Sequence, residues 1–172
     1  MEAKTTDNIT EGNIKVRKTY HLRNEETQEV LGEGGSNEHL QFSYYDNEKI
    51  SVITQVVAGR ITDTEVTFCF LGDDGFTDDN REPFSISSDQ FVDWKIEVAD
   101  YYLVNERTGE EIQAGRGDDT LIVLLYCNED GERDVITKVG IEEMTDTEVT
   151  FYFLDSYETI SIPVQRIIDW IR

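Results

Sequence analysis

Few residues in this chain carry acid–base, nucleophilic or metal chemistry, and they are scattered. There are two histidines, His21 and His39, and two cysteines, Cys69 and Cys127. Histidine titrates near neutrality and is the usual proton carrier in active sites. No CxxC, HExxH, GxSxG, Walker A or GxGxxG stands in a context that would put such a residue to work. The glycines of "GEGG" and "GRGD" read as loop glycines rather than a phosphate cradle. One stretch is dense in possible metal ligands. "GDDGFTDDNRE" carries Asp73, Asp74, Asp78, Asp79 and Glu82 within eleven residues. An EF-hand needs ligands at positions 1, 3, 5, 7, 9 and 12 of its loop, and that order is missing. A glycosidase pair of carboxylates would need a cleft lined with aromatics. Trp94 and Trp170 follow apolar residues and read as packing anchors instead. The expectation is a protein that is not an enzyme and holds no metal or cofactor.

The elements that carry these residues are built twice. The heptapeptide "TDTEVTF" runs from Thr62 to Phe68 and again from Thr145 to Phe151, an offset of 83. "VITQV" from Val52 answers "VITKV" from Val135 in that register. Upstream, "LRNEETQE" from Leu22 answers "LVNERTGE" from Leu103, and "YDNE" answers "YCNE", both offset by 81. Downstream, "SISSDQFVDW" answers "SIPVQRIIDW" with an offset of 76. The first copy thus holds seven extra residues, and they fall in the acidic stretch. The predicted organisation is an N-terminal segment over 1–13, a first β-unit over 14–95 and a second over 96–172.

Period-two alternation marks strands rather than helices. In "EVTFCF", Val66, Phe68 and Phe70 alternate with Glu65, Thr67 and Cys69; Val149, Phe151 and Phe153 do the same in the second copy. These six are the predicted core. "LQFSYY" and "SVITQVV" read as strands around a hairpin turn, and "SSDQFVDW" and "PVQRIIDW" as single helical turns. The predicted fold is mainly β: two tandem copies of a small SH3- or Sm-like barrel or half-barrel, each with one short helical turn. The rhythm of "LLYCNEDGE…VTFYFLD…ISIPVQRIIDW" resembles the β-domains of bacterial WYL regulators. No Trp-Tyr-Leu signature accompanies it, so no residue is carried over. "LIVLLY" replaces Gln41 and Ser43 of "LQFSYY" with Ile122 and Leu124. That pattern predicts a second covering layer on this strand: the first copy, the N-terminal segment or the other subunit of a homodimer.

Charge dominates the composition. There are 37 acidic and 15 basic residues, a formal net of −22. The excess is even: 19 acids and 9 bases lie in residues 1–95, and 18 acids and 6 bases in residues 96–172. Such a field repels nucleic acid and anionic membrane and attracts basic surfaces. The N-terminus lacks the apolar stretch of a signal peptide, and a cytoplasmic location is expected, with both cysteines as free thiols. The 16 Ile against 4 Ala point to an AT-rich genome rather than a salt-loving one. Size and even acidity resemble the DNA mimics that phages deploy against restriction or CRISPR defences. That resemblance implies an inhibitor that binds and blocks a basic, nucleic-acid-binding host protein. The predicted contact residues are Asp73, Asp74, Asp78, Asp79, Glu82, Asp118, Asp119, Glu142, Glu143 and Asp146, lined up on one face. Two other readings stand beside it: a ligand- or peptide-binding module with its pocket between the repeats, and a structural or assembly protein.

Overall fold

The computed structural model describes residues 13–36, 40–115 and 120–172, and the chain is mainly β. In chain order the first strands are β1 (Ile14–Asn24), β2 (Val30–Leu31), β3 (Phe42–Asp46), β4 (Lys49–Ile53), β5 (Val56–Ile61), β6 (Glu65–Phe70) and β7 (Phe84–Ser87). There follow β8 (Trp94–Asn105), β9 (Glu110–Gln113), β10 (Thr120–Cys127), β11 (Arg133–Met144), β12 (Glu148–Phe153), β13 (Thr159–Pro163) and β14 (Ile167–Ile171). Single 3-10 turns, Ser88–Gln90 and Val164–Arg166, occupy the places where helical turns are predicted.

Two compact units form, one from residues 19–99 and the other from 13–18 with 100–172. In the first unit, β5-β6-β7 make one sheet and β3-β4 a hairpin. In the second, β13-β12-β11-β10-β14 make a five-stranded sheet that curls into a half-barrel. A further sheet has the order β2-β1-β8-β9, and its two long strands pass from one unit into the other. Ile14 and Val16 of β1 pack in the core of the second unit, while Tyr20 and Leu22 pack in that of the first. Lys95, the last residue of the predicted first unit, lies inside β8, so the predicted boundary falls within a strand.

The repeated heptapeptide starts β6 and β12 with the same turn. Thr62 Oγ1 accepts from the Glu65 amide at 3.1 Å, and Thr145 Oγ1 accepts from the Glu148 amide at 3.1 Å. Each Thr amide in turn donates to its Glu carbonyl at 2.9 Å. Val66, Phe68, Val149 and Phe151 are then fully buried. Phe70 and Phe153, predicted to join them, are only partly buried at the strand ends. The Arg81 guanidinium lies over the Phe70 ring, 3.5 Å from its centre, which covers the ring's outward face.

"SVITQVV", predicted as one strand, is two. Gln55 takes φ +57° between β4 and β5, and Lys138 takes φ +55° within β11. Left-handed backbone turns the strand, so side-chain parity changes there. Ile53 points inward before the corner, and Val56 and Ala58 point inward after it. A β-bulge between Ala58 and Ile61 changes parity again, as does one between Ile141 and Glu143 in β11. Strands that bend inward twice over a few residues can wrap a small core.

At Leu124 a change of register stands in place of the expected covering layer. β10 pairs Leu124 with Ile136, and β3 pairs Phe42 with Ile53. Ile136 lies 83 residues after Ile53, so Leu124 takes the place of Phe42, an offset of 82 rather than 81. One residue of slip exchanges the faces of a strand. Leu124 is therefore buried in the core of its own unit, with Trp170 opposite on β14. The side chain of Ile122 lies outside the described residues. The outward positions are Val123 and Leu125.

Candidate functional site

The seven-residue insertion is an ordered loop in the 19–99 unit. It leaves β6 through an isolated bridge between Leu71 and Thr77. Inside that bridge the Gly72 amide donates to the Phe76 carbonyl at 2.8 Å and the Gly75 amide to the Gly72 carbonyl at 3.0 Å. Gly75 has φ +80°, a conformation that the turn requires and that an L side chain rarely adopts. Two of the aspartates are used by the backbone. Asp74 Oδ1 accepts from the Phe76 amide at 3.1 Å, and Asp78 Oδ1 from the Asn80 amide at 3.0 Å. The Asp78 amide also ties the loop back to the Phe70 carbonyl at 2.8 Å. Asp73, Asp79 and Glu82 are exposed and have no side-chain partner among the described residues. Asp73 lines a shallow polar depression with Gln55, Leu71, Gly72 and Gly75. The loop is thus a fixed frame holding carboxylates out to water.

The other predicted contacts belong to the second unit. Glu142 and Glu143 are exposed at the β11 bulge. Asp146, in the turn before β12, accepts an ion pair from Lys18 Nζ at 2.7 Å, so it is already partnered. Asp118 and Asp119 lie outside the described residues, as does His39.

The basic residues of β1 are consumed within the fold. On β1, Lys15 pairs with Glu106 at 2.8 Å, Arg17 with Glu111 at 2.6 Å, and Arg23 with Glu97 at 2.8 Å. The Arg23 guanidinium holds Glu97 below the usual carboxylate range, with His21 at 3.6 Å adding to the effect and burial opposing it. Arg107 pairs with Asp169. Burial pushes the Tyr126 hydroxyl above its ordinary value, and the neighbouring Asp134 carboxylate pushes the same way. None of these groups forms a nucleophile–base pair.

Among the described residues no cluster of three His, Cys, Asp or Glu side chains is placed to hold a metal ion, and both cysteines are free. No helix there is long and apolar enough to cross a membrane. Comparison with protein-family models, curated proteins and solved structures finds no match to the chain.

Proposed function

We propose that this is a non-enzymatic interaction protein whose acidic surface captures and blocks a basic, nucleic-acid-binding protein. The observation that carries the reading is the separation of its charges. The cations of β1 each close on a carboxylate within the fold, while Asp73, Asp79, Glu82, Glu142 and Glu143 stand exposed. The resulting negative field accelerates encounter with a cationic surface and carries the salt dependence of nucleic-acid binding. An inhibitor of the DNA-mimic type, such as phages use against host defences, has this character.

We further propose that the two units are tandem copies of one small barrel of SH3 or Sm type. The shared Thr-to-Glu turns, the left-handed corners at Gln55 and Lys138, and the bulges that follow support this. So does the burial of Phe68 with Phe151 and of Trp94 with Trp170.

The test is kinetic. Association with a fluorescent oligo-arginine peptide, followed by stopped flow over a range of salt, should slow steeply as salt rises. Replacing Asp73, Asp74, Asp78 and Asp79 by Asn keeps the oxygen acceptors of Asp74 and Asp78 that shape the loop. That variant should associate more slowly and with a flatter salt dependence, at nearly unchanged melting temperature, because rim charges act on the on-rate. Wild-type association that ignores salt would reject electrostatic capture. A quadruple variant as fast as wild type at low salt would remove the loop from the contact surface.

A further inference from the structure

Exposed large apolar side chains are not scattered over this protein. Eight stand out among the described residues; four of them lie on the outward face of one hairpin in each unit, and a fifth, Ile171, lies on β14 beside the second hairpin. In the 19–99 unit, β3 and β4 set Tyr45 directly across from Ile50 and Ser43 across from Val52. Tyr45 is 45%, Ile50 61% and Val52 52% exposed. In the other unit, β10 sets Leu125 across from Val135, and Val123 lies between Thr137 of β11 and Ile171 of β14. Val135 is 49% and Ile171 61% exposed, and Val123 and Leu125 are half-buried in the same shallow apolar depression. Val52 and Val135 occupy the same place in "VITQV" and "VITKV". An antiparallel sheet with one wet face ordinarily fills that face with polar residues. Here two such faces are mainly apolar, with Ser43 in one and Thr137 and Asp169 in the other, in a chain with 37 acids.

Both strips end in an acidic turn. Asp46 and Glu48 stand at the β3–β4 turn beside one base, Lys49; Glu129, Asp130 and Glu132 stand at the β10–β11 turn beside one base, Arg133. We infer that these two apolar strips, each capped by its acidic turn, are docking sites for a basic protein that presents apolar side chains between its cations. Charge selects this occupant. A second copy of the chain brings its own −22 against the first, whereas a cationic partner gains from the acidic turn of the strip it buries. The inference rests on the acidic-capture reading and adds what long-range charge does not supply: a short-range apolar contact that persists in salt and lowers the dissociation rate.

Two probes of equal charge separate the effects, a peptide of alternating lysine and leucine and one of alternating lysine and serine. Binding by the full chain is measured at low and at high salt, with amide shifts mapping the site. At high salt the lysine–leucine peptide should bind about tenfold more tightly, with shifts on β3, β4, β10 and β11. I50S/V52S and V135S/I171S, all at exposed positions, should together erase that margin and leave low-salt binding of the lysine–serine peptide unchanged. Melting temperatures close to wild type confirm that the variants are folded. Equal binding of both peptides, or a margin that survives both double variants, overturns the docking strips and leaves acidic capture standing. Failure of either peptide to bind at low salt overturns both. A concentration-dependent dimer that V135S/I171S dissolves would assign the strip to a second copy and also overturn the inference.

Discussion

Gly140 shows how a single residue can be legible only through its neighbour. It pairs across β11 and β12 with Tyr152, whose ring lies so close that a Cβ on Gly140 would sit 2.4 Å from it. The corresponding pair of the other unit is Val57 with Cys69, a larger residue facing a smaller one. Gly140→Val should therefore cost about 1–3 kcal/mol through overpacking. Adding Tyr152→Cys should recover most of that loss, as measured by chemical denaturation of both variants. An uncompensated loss in the double variant would show that the ring and the glycine are independent. Phe151, fully buried, is a simpler case: Phe151→Ala should cost about 3–5 kcal/mol. Its burial was readable from period-two alternation. The Gly140–Tyr152 exchange was not, because it depends on strand register, which alternation leaves open. Glu97 yields a pH prediction. Arg23 depresses its folded-state pKa, so the stability it contributes is present above the ordinary carboxyl range and is lost as pH falls through the depressed value. Denaturation across acid pH should show a shallower loss for Glu97→Gln than for the parent.

Corners decide the course of the strands. Gln55 and Lys138 both adopt left-handed backbone without being glycine, and each holds an equivalent bond: the Leu71 amide reaches the Gln55 carbonyl at 2.9 Å, and the Leu154 amide reaches the Lys138 carbonyl at 3.0 Å. A β-branched residue is poorly tolerated at positive φ, whereas glycine relieves the strain. Gln55→Val should lower stability by about 1–2 kcal/mol, and Gln55→Gly should leave it equal or higher. Thermal melts of the two variants decide it, and equal melts would remove the corner from the argument for a curved strand. Strand identity was visible here in "VITQV" and "VITKV", but the corner was not. Glutamine and lysine carry none of the turn chemistry that glycine or asparagine announces. The Asn24 and Asn105 turns show the contrast. Asn24 Oδ1 accepts from the Glu26 and Thr27 amides, and Asn105 Oδ1 from the Arg107 and Thr108 amides. Asparagine followed by polar residues is a readable turn signal.

Across the whole molecule, net charge was evident from composition, while its distribution was not. No pattern in "IKVRKTYHLRN" reveals that Lys15, Arg17, Lys18 and Arg23 would each meet a carboxylate far along the chain. The contact between β1 and residues beyond Asp100 was equally hidden, because the offsets of the repeat suggest two self-sufficient blocks. That shared strand has a consequence in time. A ribosome releases Ile14 and Val16 long before Leu103, Phe151 and Trp170, the residues with which they form one core. At roughly 5–20 residues per second, the front of β1 waits about 8–30 seconds for the last of its partners. The 19–99 unit can close during that interval, but the other must remain open until the last strand, β14, has emerged. A chain beginning at Asp100 should accordingly show no cooperative melt, and a synthetic peptide covering residues 13–24 should restore one. During synthesis, the start of β1 is, among the described strands, the one with the longest exposure to whatever chaperone or protease is nearby.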